Sequence, residues 1–160
     1  MNKAFRERTV AKNYWALAYG LFTEEQGVVD HAVRVSRDRG AERKDAVTSW
    51  RRMAVVEPWC TLLELQPKTG RHHQIRKHLK HLRRPILGDV RYGKGRRNAF
   101  YAREFGLGRL ALHAAQIEIP HPDGGTLIAQ SALPSELAQA FVRIGFSEAL
   151  IARLVGQEAN

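Results

Sequence analysis

Two pairs of alternating segments, each broken by a short turn signal, constrain this chain more than any other feature. Residues 46–57 alternate Val47, Ser49 and Arg51 against Thr48, Trp50 and Arg52. Residues 61–66 follow with Leu63 and Leu65 on one face, and Glu57-Pro58-Trp59 makes the turn between them. Residues 109–119 alternate again, pass through His121-Pro122-Asp123-Gly124-Gly125, and pair back over residues 126–132. Short connections of this kind force antiparallel neighbours, because a parallel pair needs a crossover of a dozen residues or more. Between and after the hairpins lie helical stretches. Residues 71–82 end at Arg84-Pro85. Residues 134–144 place Leu137, Phe141 and Ile144 on one face, and residues 147–155 add a short helix. Residues 14–20 and 28–35 read as strands, residues 36–45 as a charged loop, and residues 1–10 as the end of a helix. The expected fold is therefore α+β, a mostly antiparallel sheet with a basic helix packed on it.

Size and composition narrow the class. At 160 residues and 44% hydrophobic content the chain can bury a core and is not disordered. No apolar run approaches the ~20 residues of a membrane span. The single cysteine, Cys60, excludes an internal disulfide and reads as a buried small residue. No signal peptide is evident, so a cytoplasmic location is expected. Charge is the positive clue: 26 Lys and Arg against 16 Asp and Glu give a net +10. From Arg71 to Arg97 the only acidic residue is Asp89. A domain so basic, with its charge so concentrated, calls for a polyanionic partner, and RNA is the first candidate.

On the helix expected over residues 71–82, Ile75, Leu79 and Leu82 form a narrow apolar stripe, with His73, Arg76, Lys80 and Arg83 on one flank. Lys77 and His81 fall on the far side. Such a helix can enter a core and still track phosphates. Arg71, His73, Lys77, Lys80, Arg83 and Arg84 are the candidate RNA-binding residues. His72, His73, His78 and His81 lack the spacing and the carboxylate or thiolate companions of a zinc site, so no metal is expected. Trp15, Trp50 and Trp59 read as core, and Arg96 and Arg97 as part of a loop.

The run Leu65-Gln66-Pro67-Lys68-Thr69-Gly70-Arg71-His72-His73-Gln74-Ile75-Arg76, then Pro85-Ile86-Leu87-Gly88-Asp89 and Tyr92-Gly93, resembles the RluA-type pseudouridine synthases. Leu110-Ala111-Leu112-His113-Ala114 with His121-Pro122, and Lys12-Asn13-Tyr14, resemble further motifs of that family. The resemblance runs to about Phe146. The His81-Leu82-Arg83 segment and Phe105-Gly106-Leu107 look most like the TruC branch, which modifies tRNA. The resemblance implies cofactor-free isomerisation of a flipped uridine. In the family an Asp attacks the nucleoside, the C1′–N1 bond breaks, and the turned uracil rejoins through C5. Tyr14 matches the tyrosine that stacks beside the base, and Arg76 the arginine that holds the nucleophilic carboxylate.

One element of the family pattern is missing. The nucleophile's H-R-L-D-like motif is absent, and Asp30, Asp38, Asp45, Asp89 and Asp123 all stand in other settings. The reading is of residues 1–146 as a partial catalytic domain lacking its N-terminal strands, and 147–160 as a helical tail. Four expectations follow. Tyr14 and Arg76 line one concave surface. Arg76 has no intrachain Asp partner in a motif-like setting. Apolar residues are exposed along one sheet edge. The chain alone is inactive, either as part of a synthase or as a non-catalytic RNA-binding module derived from one.

Overall fold

The computed structural model describes residues 10–36, 40–121 and 123–156. The stretch expected as the end of a helix at residues 1–10 lies almost wholly outside them. Chain order is β1 (Ala11–Tyr19), β2 (Gln26–Asp30), β3 (Val33–Arg34), β4 (Arg43–Lys44), β5 (Val47–Val56), β6 (Cys60–Pro67), α1 (Gln74–His81), α2 (Gly95–Phe105), β7 (Leu112–Pro120), β8 (Thr126–Gln130), α3 (Ser135–Ile144) and α4 (Glu148–Val155).

Six strands form one sheet in the order β2-β5-β6-β1-β7-β8, and each neighbouring pair is antiparallel. Both expected hairpins are present, β5–β6 and β7–β8. β1 joins them by pairing with β6 on one side and β7 on the other. Its centre, Ala16-Leu17-Ala18, is fully buried. A strand without polar alternation is what a central position covered on both faces requires.

Alternation assigns the two faces. Tyr14 lies opposite Leu65, Ala16 opposite Leu63 and Ala18 opposite Thr61. This face carries α1, whose Gln74 and His78 reach Thr48 of β5. The other face presents Trp15, Leu17 and Tyr19 opposite Glu64, Leu62 and Cys60. There α2 packs through Tyr101, and α3 and α4 continue the layer. Ile151 and Leu154 of α4 belong to the same core, so residues 148–155 are integral to the fold.

Three local readings change. Arg96 and Arg97 lie in α2, not in a loop. Its start is hidden because Lys94 offers no side-chain cap, the first helical residue is glycine and the first turn holds no acidic residue. It ends at Gly106, which adopts φ 72. Second, residues 28–35 are two strands, β2 paired with β5 and β3 paired with β4, and β4 falls in the expected loop. Third, Trp15 is core as expected, but Trp59 is 49% exposed. Apolar residues are exposed at both sheet edges and not at one: Val28 of β2 is 64% exposed, and Leu127 and Ile128 of β8 are each 58% exposed.

Candidate active site

The β6–α1 connection is pinned by a buried polar side chain. Gln74 Oε1 accepts from the Thr69 hydroxyl at 2.6 Å and from the Arg71 N–H at 3.0 Å. Its Nε2 donates to the Val47 carbonyl at 2.9 Å and to Thr48 Oγ1 at 3.0 Å. One turn on, His78 is fully buried, with Nδ1 2.9 Å from Thr48 Oγ1 and Nε2 2.9 Å from the His31 carbonyl. Burial holds its imidazole below the usual pKa. Both groups are satisfied, as buried polar groups must be. The apolar stripe expected on this helix is thus half polar: Gln74, Ile75, His78 and Leu79 face inward, and Leu82 is half-buried. His73 precedes the helix with φ 54, a left-handed conformation that swings its ring back beside Arg76.

This anchoring aims Arg76 at a second rigid turn. Asp89 has no exposed side-chain surface. Its Oδ2 accepts from Arg76 Nε and its Oδ1 from Arg76 Nη2, both at 2.8 Å. Oδ1 also accepts from the backbone N–H groups of Arg91 and Tyr92 at 2.9 Å. Gly88 makes the turn possible. It adopts φ 75, and a Cβ there would collide with the Arg109 backbone carbonyl. Asn98 completes the turn by donating to the Asp89 carbonyl and accepting from the Gly88 N–H. Arg76 therefore has an intrachain Asp partner, though one in the Gly-Asp turn and not in an H-R-L-D-like setting. The Gly-Asp-x-x-Tyr-Gly segment folds its carboxylate back onto the helix, a long-range contact that sequence spacing does not reveal.

The electrostatics follow from the geometry. Burial raises the Asp89 carboxyl, but the Arg76 hydrogen bonds and the two backbone N–H donors outweigh it and hold the group below the usual carboxylate range. Burial, then Arg76, push His73 down to about 4. At neutral pH His73 is an uncharged hydrogen-bonding ring, 3.2 Å from both the Tyr92 hydroxyl and Arg76 Nη1. Tyr92 lies beneath a canopy of cations, with Arg76, Arg91 and Lys80 5.0, 5.3 and 5.7 Å from its ring centre.

Tyr14 and Arg76 line one cavity of about 410 Å³, as expected. Lys12 and Arg71 stand on its wall, and Ile75, Leu110 and Leu112 give it apolar surface. The volume lies within the range of small-ligand sites, and the mixture of apolar wall and convergent polar groups is theirs too. No group of three or more His, Cys, Asp or Glu suited to a metal occurs among the described residues.

The candidate RNA-binding residues divide. Arg71 and His73 line the cavity. Lys80 lies outside it over Tyr92, and Arg83 is exposed with φ 59. Lys77 donates to the Arg34 and His72 carbonyls. Arg84 packs against Gly20 and lies 6.0 Å from the Phe22 ring, beyond the far end of β1. Sequence reasoning named Lys12 only as part of the Lys12-Asn13-Tyr14 motif, not as a cavity residue, and did not foresee the pairing of Asp89 with Arg76.

Residues 1–81 match the RNA pseudouridylate synthase family, and the chain belongs to that family. It is similar to the tRNA pseudouridine synthase C of Vibrio parahaemolyticus, with 36% identity across 92% of this chain and 67% of the relative. The tRNA pseudouridine synthase C of Salmonella typhimurium is also 36% identical, across 89% of this chain and 62% of its own length. Among solved structures, Human RNA Pseudouridylate Synthase Domain Containing 4 superimposes with a TM-score of 0.72 at 27% identity, covering 89% of this chain and 65% of that one. The chain thus spans about two thirds of the length of these relatives.

Proposed function

We propose that this chain forms the uridine-holding part of an RNA pseudouridine synthase that acts on tRNA in the cytoplasm, with the nucleophilic aspartate supplied from outside these 160 residues. The observation that carries the reading is Tyr14 and Arg76 on the wall of one cavity beside a basic rim. The base of a flipped uridine stacks on Tyr14, and Lys12 and Arg71 meet the phosphates flanking that nucleotide. The incoming carboxylate attacks the nucleoside at C1′ as the C1′–N1 bond breaks, the freed uracil turns so that C5 bonds to C1′ and displaces the carboxylate, and N1 takes up a proton. The C5 proton then departs, and the Tyr14 phenol assists its removal.

Arg76 can serve that carboxylate while holding Asp89. A guanidinium has five N–H donors. Nε and one N–H of Nη2 go to Asp89, and Nη1 meets His73. One N–H on Nη1 and one on Nη2 remain to meet a second carboxylate. Asp89 is not placed to attack: its side chain is wholly buried and both oxygens already accept hydrogen bonds.

The test uses tRNA carrying tritium at uridine C5, whose release reports C5 bonding. The chain alone should release none. Fusing an upstream segment that bears an H-R-L-D motif should restore release, and Arg76→Ala should abolish it again. Robust release by the unaided chain would overturn the assignment and make Asp89 the first residue to substitute. A second reading, a non-catalytic RNA-binding module, is favoured by the absence of an H-R-L-D-like motif from these 160 residues. It would be established by tRNA binding that persists with no activity in any fusion.

A further inference from the structure

A second concave surface lies on the opposite face of the sheet from the cavity. Tyr14 and Tyr19 are five residues apart on β1, with unbroken register to β6 between them, so their side chains leave opposite faces. Around Tyr19 is a hollow of about 370 Å³. Its wall is aromatic and cationic, with no acidic residue on it: Tyr19, Trp59 and Phe100 provide ring faces, and Lys94, Arg96 and Arg97 provide charge.

The rings are held out to solvent by structure behind them. Trp59 ends the β5–β6 turn, its N–H bonded to the Val56 carbonyl and its carbonyl to the Gly20 N–H. Although hydrophobic, it is 49% exposed, and Phe100 is 36% exposed beside it, the two ring centres 6.4 Å apart. Phe100 stands edge-on to Tyr101 and Phe105 at 5.6 and 5.9 Å, which fixes it on α2. The Arg97 guanidinium lies 3.1 Å from the Tyr19 ring centre. Exposed, braced aromatic rings beside cations that have no ion-pair partner among the described residues are the parts of a nucleotide-stacking platform, in which bases stack on the rings and cations meet the backbone. A purely apolar partner would leave Lys94 and Arg96 desolvated without a counter-charge, and a duplex would offer phosphates but no free base face.

We propose that this surface binds an unpaired RNA nucleotide, its base on Trp59 and Phe100 and its phosphates at Lys94 and Arg96, as a contact separate from the target-uridine cavity. The site rests on the RNA-acting reading above.

The test separates the two sites. Binding of a short single-stranded RNA and of whole tRNA is measured by fluorescence anisotropy for the 160-residue chain, Trp59→Ala, Lys94→Ala/Arg96→Ala and, as the cavity variant, Lys12→Ala/Arg71→Ala. Quenching of the exposed tryptophan is followed in the same titrations, and circular dichroism confirms that each variant is folded. Loss of the Trp59 ring should weaken single-strand affinity about tenfold and remove the quenching. The Lys94/Arg96 pair should lower the single-strand salt slope by about 1.4. Unchanged single-strand affinity and slope in both platform variants, with tRNA binding still weakened by the cavity variant, would overturn this site and leave the proposed function standing. Failure of the parent chain to bind either RNA would overturn both. Loss of quenching with a protein ligand but not with RNA would assign the surface to a protein partner and overturn the proposal.

Discussion

Asp89 and His73 set the charge on either side of Arg76, and each carries a pH signature. The folded Asp89 carboxyl titrates below its unfolded value of about 3.9. Its contribution to stability is therefore present above that value and is lost as pH falls through the lower folded one. Urea unfolding between pH 7 and pH 3 should show stability dropping below about pH 4, and Asp89→Asn should remove that part of the slope. The same substitution leaves Arg76, whose side chain is only 16% exposed, without its counter-charge. A loss of about 3–5 kcal/mol is expected at neutral pH. His73 is shifted down as well, by burial and the neighbouring Arg76. Its folded value near 4 lies below the ordinary 6.5, so the unfolded chain binds a proton that the folded chain refuses. It lowers stability as pH falls from about 6.5 towards 4. In an NMR titration the His73 ring should change state near pH 4, and a midpoint near 6.5 would contradict the burial beside Arg76.

At the scale of elements, local pattern and long-range closure contributed differently to what could be read. The hairpins were legible because alternation and turn residues are local, as at Leu63, Leu65 and the Glu57-Pro58-Trp59 turn. The pairing of β1 with both β6 and β7 was not, since nothing within residues 11–19 names its neighbours. For α1 the helix was legible but its inner face was not, because Gln74 and His78 become core only when Thr48 and the His31 carbonyl arrive to satisfy them. Tyr14 and Arg76 were found through a family motif, whereas Asp89 stood thirteen residues from Arg76 and needed the turn at Gly88 to bring it back. That turn has its own test. A Cβ at position 88 would meet the Arg109 backbone carbonyl, and the φ of 75 disfavours any side chain. Gly88→Ala should cost at least about 2 kcal/mol in denaturant unfolding. An unchanged midpoint would show that the turn can yield without disturbing the core.

Over the whole molecule, net charge overstates what RNA can feel. Of the cations between Arg71 and Arg97, Arg76 is already paired with Asp89, His73 is uncharged at neutral pH, and Arg84 packs towards Phe22 at the far end of β1. Around the cavity and Tyr92 this leaves Lys12, Arg71, Lys80 and Arg91 as the near set. If these four meet phosphates, they contribute about −3.6 to the slope of log affinity for tRNA against log salt, apart from any contribution of Lys94 and Arg96. Through these four alone, a fourfold rise in salt would then weaken binding about a hundredfold. Affinity itself should be micromolar or weaker, because a surface this small makes few contacts beyond charge. Filter binding from 50 to 200 mM salt measures the slope. Lys12→Ala and Arg71→Ala should each make it shallower by about one, whereas Arg84→Ala should leave it unchanged. A slope near zero would mean that the basic run is a solvated surface, and a slope near the full net charge would mean that the internal pairings seen here open when RNA binds.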